Sequence, residues 1–546
     1  MSILKKNAWL AIPLLFLLFA APGALDYLFY FPDEKYYTDA VLQMMDKNDW
    51  LTPYKADGSP RFLKPIITYW VLLGSYKILG VCPFSSRLLF WLAGALLIVV
   101  VYWMTLSLLK DKKTALIAGF ITAANPLVLM GAGRSIPDIL LLLFLTISAW
   151  GFLEILINEH PARRFYWMAY LGAALAFETK GLPAAAFAGI SFLYLLFNPW
   201  KPKKLMELMH PLAIISAIVV ALSWFVVMYL NHGTEYLNSF FADQVGYRVS
   251  SKSAQVVTNT FLGVVNLAAF TLPWLIVILS CPVKLKKFIA GTSGETKALL
   301  GFIALWVIAV IAMSGAVFKF YDRYLLPVIP LTSLFIGMVI TQTETRFMAP
   351  ALKVLMAFNL LVLLINSMYA LLILPDVILI AGTLTGIVFF IVFARGKNIF
   401  QVPGVTLAGS VMLLWFNIHL LLYTLLMPHP GKQLAETIQK ENVSGQVRVY
   451  VYGNIRMASA IRIYSNNDLN VVSMDSLFSL PSGKEHLLVF NGKEEHLLDL
   501  KDYRVMSGSE EWKRVSADRF PGFMQPAAEK LKNSGTRYFI AKPKDK

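Results

Sequence analysis

Charge is what this chain has least of: 15% of its 546 residues are Asp, Glu, Lys or Arg, while 57% are hydrophobic. Soluble proteins carry roughly a quarter of their residues charged, so an ordinary soluble globule is excluded. Cysteine is nearly absent, with Cys82 and Cys281 alone, and the topology read below sets these two near opposite faces of a bilayer, beyond the reach of a disulfide. Cysteine content therefore says nothing about redox compartment. The chain also lacks internal repeats, low-complexity tracts and a glycine-rich phosphate loop. No small-residue cleavage site follows the first apolar segment, so that segment, with Lys5-Lys6 ahead of it, is expected to stay as an anchor and not to act as a signal peptide.

What is present is a series of long apolar runs, each near the roughly 20 residues that a helix needs to cross the hydrocarbon core. Lipid offers no partner for backbone amides, so such runs must be helical. They fall near 8–25, 85–109, 114–130, 138–157, 166–178, 182–198, 211–230, 263–281, 298–316, 325–341, 354–374, 376–394 and 403–427, thirteen in all. The net charge of +16 might point to nucleic acid, but the basic residues sit in short turns between the runs. With Lys5-Lys6 inside, the clusters Lys110 to Lys113, Arg163-Arg164, Lys201 to Lys204, Lys284 to Lys287, Arg346 with Lys353, and Arg395 with Lys397 all fall inside as well, which is the pattern that orients membrane helices. Nucleic acid is set aside. The apolar stretch 66–80 is too short for a crossing and reads as interfacial; counting it as a span would put the later basic clusters outside.

An odd number of spans puts the carboxy-terminal tail on the face opposite the amino terminus, together with the 26–84 loop, the 231–262 loop and Lys319 to Tyr324. After Pro428-His429-Pro430 the composition becomes that of a soluble domain. Strands are expected at 446–452 and 487–490 and helices at 431–441, 456–464 and 525–533, a small α/β unit. The fold class is thus a polytopic α-helical membrane protein of about thirteen transmembrane helices (1–428) with a C-terminal soluble α/β domain (429–546).

The chemistry is expected in the first loop, where Pro32-Asp33-Glu34-Lys35-Tyr36-Tyr37 is followed by Asp49-Trp50, Gly58, Arg61 to Pro65 and Tyr69-Trp70. The spacing of Tyr37, Val41, Met44 and Met45 predicts an amphipathic helix lying on the membrane surface, with Asp33 as its N-cap. Asp138 opens the fourth span on the same side, after Gly133-Arg134-Ser135-Ile136-Pro137, and ionisable residues at membrane depth are costly enough to be functional by default. Either aspartate could be no more than a helix cap; together they could hold a divalent cation, or divide proton acceptance and substrate orientation between them. Lys64, Lys180, Arg248, Lys319 and Arg323 bring positive charge to that face, suited to a phosphate or pyrophosphate group. Any one of them alone is better explained as a long side chain snorkelling to water, and it is their convergence on a face with two acids that points to a site.

These residues resemble the GT-C type of membrane glycosyltransferases that use polyprenyl-phosphate sugars, in the branch of the bacterial aminoarabinose transferases and the protein O-mannosyltransferases. Pro32-Asp33-Glu34 with Tyr36-Tyr37, Asp49-Trp50, Gly58, Lys64-Pro65 and Tyr69-Trp70 is similar to that family's first periplasmic loop. Arg134 to Asp138 is similar to its second acidic site, Lys180-Gly181 to its Lys-Gly turn, and Lys319-Phe320-Tyr321 with Arg323 to Pro327 to its late periplasmic loop. The resemblance implies that Asp33 is the principal catalytic carboxylate, Asp138 its partner in metal or substrate coordination, and Glu34 auxiliary. Lys64, Lys180, Arg248, Lys319, Tyr321, Arg323 and Tyr324 would contact donor or acceptor phosphate. It implies an inverting transfer from a polyprenyl-phosphate (undecaprenyl phosphate) sugar to a glycolipid such as lipid A, or to protein, on the periplasmic side of a bacterial inner membrane. A divalent metal ion could assist, and no nucleotide is needed because the donor already carries its leaving group. One position departs from the family pattern: Leu63 stands where a glutamate is common, which puts in question any sugar contact that carboxylate would make, and so aminoarabinose as the sugar. A transporter or flippase would also be polytopic with intramembrane charges, but broken-helix repeats are missing from the sequence; a scaffold recruiting partners through the tail would not need the charged first loop.

Overall fold

A computed structural model describes residues 8–25, 32–55, 58–243, 253–280, 290–342, 345–373, 377–395, 403–420, 430–441, 447–453, 455–474, 486–511 and 536–544. The apolar runs are helices, as the lack of hydrogen-bond partners in lipid requires. Among the described residues six helices are long and apolar enough to cross a membrane, seven if one bent pair is a single span, and four shorter apolar helices accompany them. The expected thirteen unbroken spans are not recovered, and prolines account for several of the breaks. The 114–130 run divides into Lys112–Ala124 and Pro126–Ala132, bent by 64°. Pro126 cannot donate to the preceding turn, and the Asn125 side chain caps the new helix by accepting from the Leu127 amide at 3.0 Å. The 263–281 run divides at Leu272-Pro273 into Ser253–Thr271 and Trp274–Leu279. The 325–341 run starts as a tight 3-10 turn, Asp322–Val328, containing Pro327, and continues as Ile329–Gln342.

The first-loop helix runs Pro32–Asp46, and the apolar stretch after it forms the 13-residue helix Ile67–Leu79, shorter than a crossing needs. The short 166–178 run extends to Arg163–Lys180, 18 residues, because its polar ends continue the helix. This helix lies against Pro137–Ile157 at backbone contact distance: a Cβ on Gly151 would come 2.3 Å from the Ala169 nitrogen, and one on Gly172 2.9 Å from the Ser148 nitrogen. The Ser148 hydroxyl donates across the seam to the Ala169 carbonyl at 2.7 Å. Since the two helices are consecutive and joined by a short turn, the start of one and the end of the other share a face.

The tail builds a five-stranded mixed sheet of order β2-β1-β3-β5-β4, from β1 (Arg448–Tyr452), β2 (Asn470–Met474), β3 (His486–Asn491), β4 (Tyr503–Glu511) and β5 (Thr536–Pro543). β1 is parallel to β2 and β3, and β5 is antiparallel to β3 and β4. Helices Pro430–Glu441 and Ile455–Tyr464 cover one face, burying Leu434, Ile438 and Ile461 against Val449, Val451 and Val489. The expected helix at 525–533, and Cys281, lie outside the described residues.

Helix Ile455–Tyr464 sits on the first-loop helix. Arg462 donates to both oxygens of Asp46 at 2.8 and 2.9 Å, and the Ser459 hydroxyl meets Asp39 at 3.5 Å. Burial pushes the Asp39 carboxyl up to about 6 despite the lowering influence of Arg462 and Ser459. A raised carboxylate pKa means that the folded state holds the proton more tightly than the unfolded chain, so stability contributed by protonated Asp39 is complete below about pH 4 and is lost as pH rises to about 6. Asp39→Asn is therefore expected to raise unfolding free energy at neutral pH by roughly 2 kcal/mol and to flatten its pH dependence between about pH 4 and 6; denaturation of the detergent-solubilised chain across that range measures it.

Candidate active site

Asp33 lies in the first turn of the first-loop helix, one residue after its start at Pro32, and so is inside the helix and not its N-cap. Asp138 likewise is not a cap: Ile136 holds that position without a side-chain bond, and Pro137 leads the helix. Both carboxylates are used elsewhere. The buried Asp138 is paired with Lys180 at the end of the neighbouring helix, while Arg323, from the 3-10 turn, pairs with Asp33 and places its Nε 3.7 Å from Asp138. One guanidinium thus joins the two acids that are 105 positions apart in the sequence.

The basic and aromatic residues form the rest of the wall. The Arg323 guanidinium stacks 4.7 Å from the Tyr321 ring, Lys180 Nζ lies 5.5 Å from the Tyr324 ring, and Lys319 Nζ 5.4 Å from the Tyr321 ring. Lys64 is buried, its Nζ 3.9 Å from Asp243. Asp33, Asp138, Lys64, Lys180, Lys319, Tyr321, Arg323 and Tyr324 all line one cavity of about 280 Å³, near the lower end of small-molecule sites. Arg248 lies outside the described residues.

Arg61, Leu63, Tyr36, Tyr37 and Asp243 line the same cavity and were not singled out as site residues from the sequence. Arg61 donates to the Tyr69 hydroxyl at 3.1 Å and sits 5.0 Å from the Tyr36 ring. Its place in the first loop, between Gly58 and Lys64, is the signal that could have found it. Burial, with Tyr69 beside it, pushes the Tyr37 hydroxyl well up, so it stays a neutral hydrogen-bonding group.

A second cavity of about 300 Å³ adjoins the first and shares Lys64, Asp138, Lys180, Arg323 and Tyr324 with it. Its remaining wall is mainly apolar, including Leu141, Phe187, Met313 and Leu326. A polar chamber therefore opens onto a greasy one across a shared row of charges, the shape that an amphiphile with a charged head demands.

Glu34, expected among the catalytic group, does not line the cavity. It is fully buried, accepting from Arg87 at 2.9 and 2.7 Å and from the Ser135 amide and hydroxyl at 3.0 Å. Its role in this geometry is to clamp the start of the first-loop helix to the turn before Asp138. The carboxylates of Asp33 and Asp138 are both engaged by Arg323, Asp138 also by Lys180, and no group of three His, Cys, Asp or Glu able to hold a metal occurs among the described residues.

Comparison with known proteins gives the same picture. A family model described as dolichyl-phosphate-mannose-protein mannosyltransferase matches residues 63–229. Over the whole chain, the crystal structure of ArnT from Cupriavidus metallidurans bound to undecaprenyl phosphate superposes with a TM-score of 0.74, covering 99% of this chain and 98% of that one at 18% identity. The fold is that of ArnT. The apo form of the same ArnT gives a TM-score of 0.73. The resemblance to the GT-C glycosyltransferases read from the motifs accordingly holds at the level of the ArnT fold. Among curated relatives, an undecaprenyl phosphate-alpha-4-amino-4-deoxy-L-arabinose arabinosyl transferase from Yersinia enterocolitica is 27% identical over 363 residues, 66% of this chain and 64% of that protein. An uncharacterized Aquifex aeolicus protein is 29% identical over 244 residues, 44% of this chain and 47% of that protein. The aligned part of the chain thus spans about half to just under two thirds of the length of these relatives.

Glu34→Gln leaves the Arg87 guanidinium buried without its counter-charge, an error that typically costs about 3–5 kcal/mol. A large drop in unfolding temperature is expected from Glu34→Gln and from Arg87→Met, while Glu34→Leu combined with Arg87→Met should cost clearly less than the two single changes together; thermal unfolding of the three variants in detergent measures it.

Proposed function

We propose that this chain is an inner-membrane glycosyltransferase that moves a sugar from a polyprenyl-phosphate donor to an acceptor on the periplasmic side. The observation that carries the reading is the convergence of Asp33 and Asp138 on Arg323 at the boundary between a cationic chamber and an apolar one. The donor is an amphiphile whose head is a sugar phosphodiester, and the two chambers match its two parts. Support also comes from the matching mannosyltransferase family model over 63–229 and from the ArnT fold.

The chemistry follows from charge. The acceptor oxygen attacks the anomeric carbon, the bond from that carbon to the phosphate oxygen breaks, and its electron pair leaves with the polyprenyl phosphate, which gains a second negative charge. Arg323, Lys180, Lys64, Lys319 and Arg61 stabilise that growing charge in a site partly shielded from water. Asp33, more exposed than Asp138 and paired with Arg323, faces the chamber. With a hydroxyl acceptor it takes the proton; with an already ionised lipid phosphate it orients the nucleophile. Asp138, with Lys180, holds Arg323 in place. A single displacement inverts the anomeric centre.

We take a glycolipid, with lipid A as the leading case, as the acceptor in first place, on the ArnT-like layout, and protein in second, the latter favoured by the description of the matching family model. In membranes supplied with an undecaprenyl-phosphate sugar, Asp33→Asn is expected to lower transfer by about 10²–10⁴-fold with expression and unfolding temperature kept; unchanged transfer would remove Asp33 from the mechanism. Mass spectrometry of lipid A and of glycoproteins, with and without the chain, identifies the acceptor.

A further inference from the structure

The charges around the polar chamber go further than a phosphate site. Among the described residues, five cationic side chains, Arg61, Lys64, Lys180, Lys319 and Arg323, face three carboxylates, Asp33, Asp138 and Asp243, leaving two positive charges in excess. Each carboxylate is already in an ion pair: Asp33 with Arg323, Asp138 with Lys180 and Arg323, Asp243 with Lys64. Arg61 and Lys319 have aromatic partners but no carboxylate within ion-pair distance among the described residues. An excess of two matches a phosphate that ends the reaction as a dianion, and no unpaired carboxylate lines the chamber among the described residues.

An ammonium group could otherwise be held by aromatic faces. The tyrosine faces are taken too, which leaves Phe318 as the remaining aromatic ring among the described lining residues. Arg61 lies 5.0 and 6.0 Å from the Tyr36 and Tyr37 rings, Arg323 and Lys319 occupy Tyr321, and Lys180 lies over Tyr324. Beside Lys64, the wall is Leu63, which offers an ammonium neither charge nor hydrogen bond. The phenol groups of Tyr36 and Tyr37, by contrast, offer sugar hydroxyls hydrogen-bond partners at the edge of the same wall.

We propose that the sugar accepted by this chamber is uncharged, and that a donor bearing an ammonium on its sugar is selected against by the surplus of positive charge and by the leucine at position 63. The inference rests on the polyprenyl-phosphate reading above and narrows it to neutral sugars, in contrast to the aminated sugar in the name of the Yersinia relative.

The test uses the purified full chain in detergent and three probes: undecaprenyl phosphate, undecaprenyl phosphate-linked L-arabinose, and undecaprenyl phosphate-linked 4-amino-4-deoxy-L-arabinose, which differ at one substituent. At about pH 7 the hydroxylated lipid is expected to bind about tenfold or more tightly than the aminated one, since an unpaired like charge in a partly desolvated site is strongly disfavoured. Leu63→Glu should shrink or reverse that ratio, and Leu63→Gln, equal in size but uncharged, should not. Equal or tighter binding of the aminated lipid by the native chain overturns the inference and leaves the donor class intact; so does an equal response to Glu and Gln, which would make polarity and not charge the determinant. Failure of all three probes to bind removes the polyprenyl-phosphate reading and this inference with it. Should Leu63→Glu not fold, the ratio measured on the native chain decides alone.

Discussion

A carboxylate with no contact with water holds the site together. Glu34 is satisfied by two bonds from Arg87 and two from Ser135, and Arg87 completes its own requirements with the Gly23 carbonyl at 2.8 Å. Removing such a charge from water is tolerable only when nearly every lone pair finds a donor. The cost is what makes the clamp informative: four segments, the first transmembrane helix, the start of the first-loop helix, the helix Pro83–Leu109 and the turn before Pro137, must meet in one arrangement for Glu34 to be buried at all. Asp33 is its neighbour in sequence and Asp138 lies three residues after Ser135, so the clamp brings both acids within reach of one arginine.

The two cavities then follow from where the charged row lies. Lys64, Asp138, Lys180, Arg323 and Tyr324 belong to both, and they come from the first loop, two consecutive helices and the 3-10 turn at Asp322–Val328. On one side the wall is mainly tyrosines, cations and the three aspartates; on the other it is mainly leucine, phenylalanine and methionine. A ligand that fills both must be half ionic and half hydrocarbon. On the transfer proposed above, a reacting bond at that border keeps the departing phosphate near the cations while its tail remains among apolar side chains.

Much of this was readable in the sequence because the physics is local. Apolar runs in lipid have no choice but to be helical, and the pairing of Asp33 with Asp138, Lys180 and Arg323 in one chamber followed from counting spans and asking which loops share a face. The breaks at Asn125-Pro126 and Leu272-Pro273 were missed because a hydrophobic run was read for its length, although proline marked both. Three strands of the tail escaped as well. β2 is short, β4 carries Ser-Gly-Ser-Glu-Glu without alternation, and β5 sits between charged residues, so their strand character comes from sheet partners and not from pattern. The position of Glu34 was the least legible. Nothing in Pro-Asp-Glu says which acid turns toward the chamber and which toward the protein interior; that depends on Arg87, which lies 53 positions away.

The seam between the helices Pro137–Ile157 and Arg163–Lys180 has one more consequence. With glycine at 151 and 172, main chain rests on main chain at those two points, and the Ser148 hydroxyl ties the seam between them. Asp138 at the head of one helix and Lys180 at the foot of the other are thus carried by one tightly seated pair, whose spacing is set by main-chain contact and not by the side chains that line the chambers.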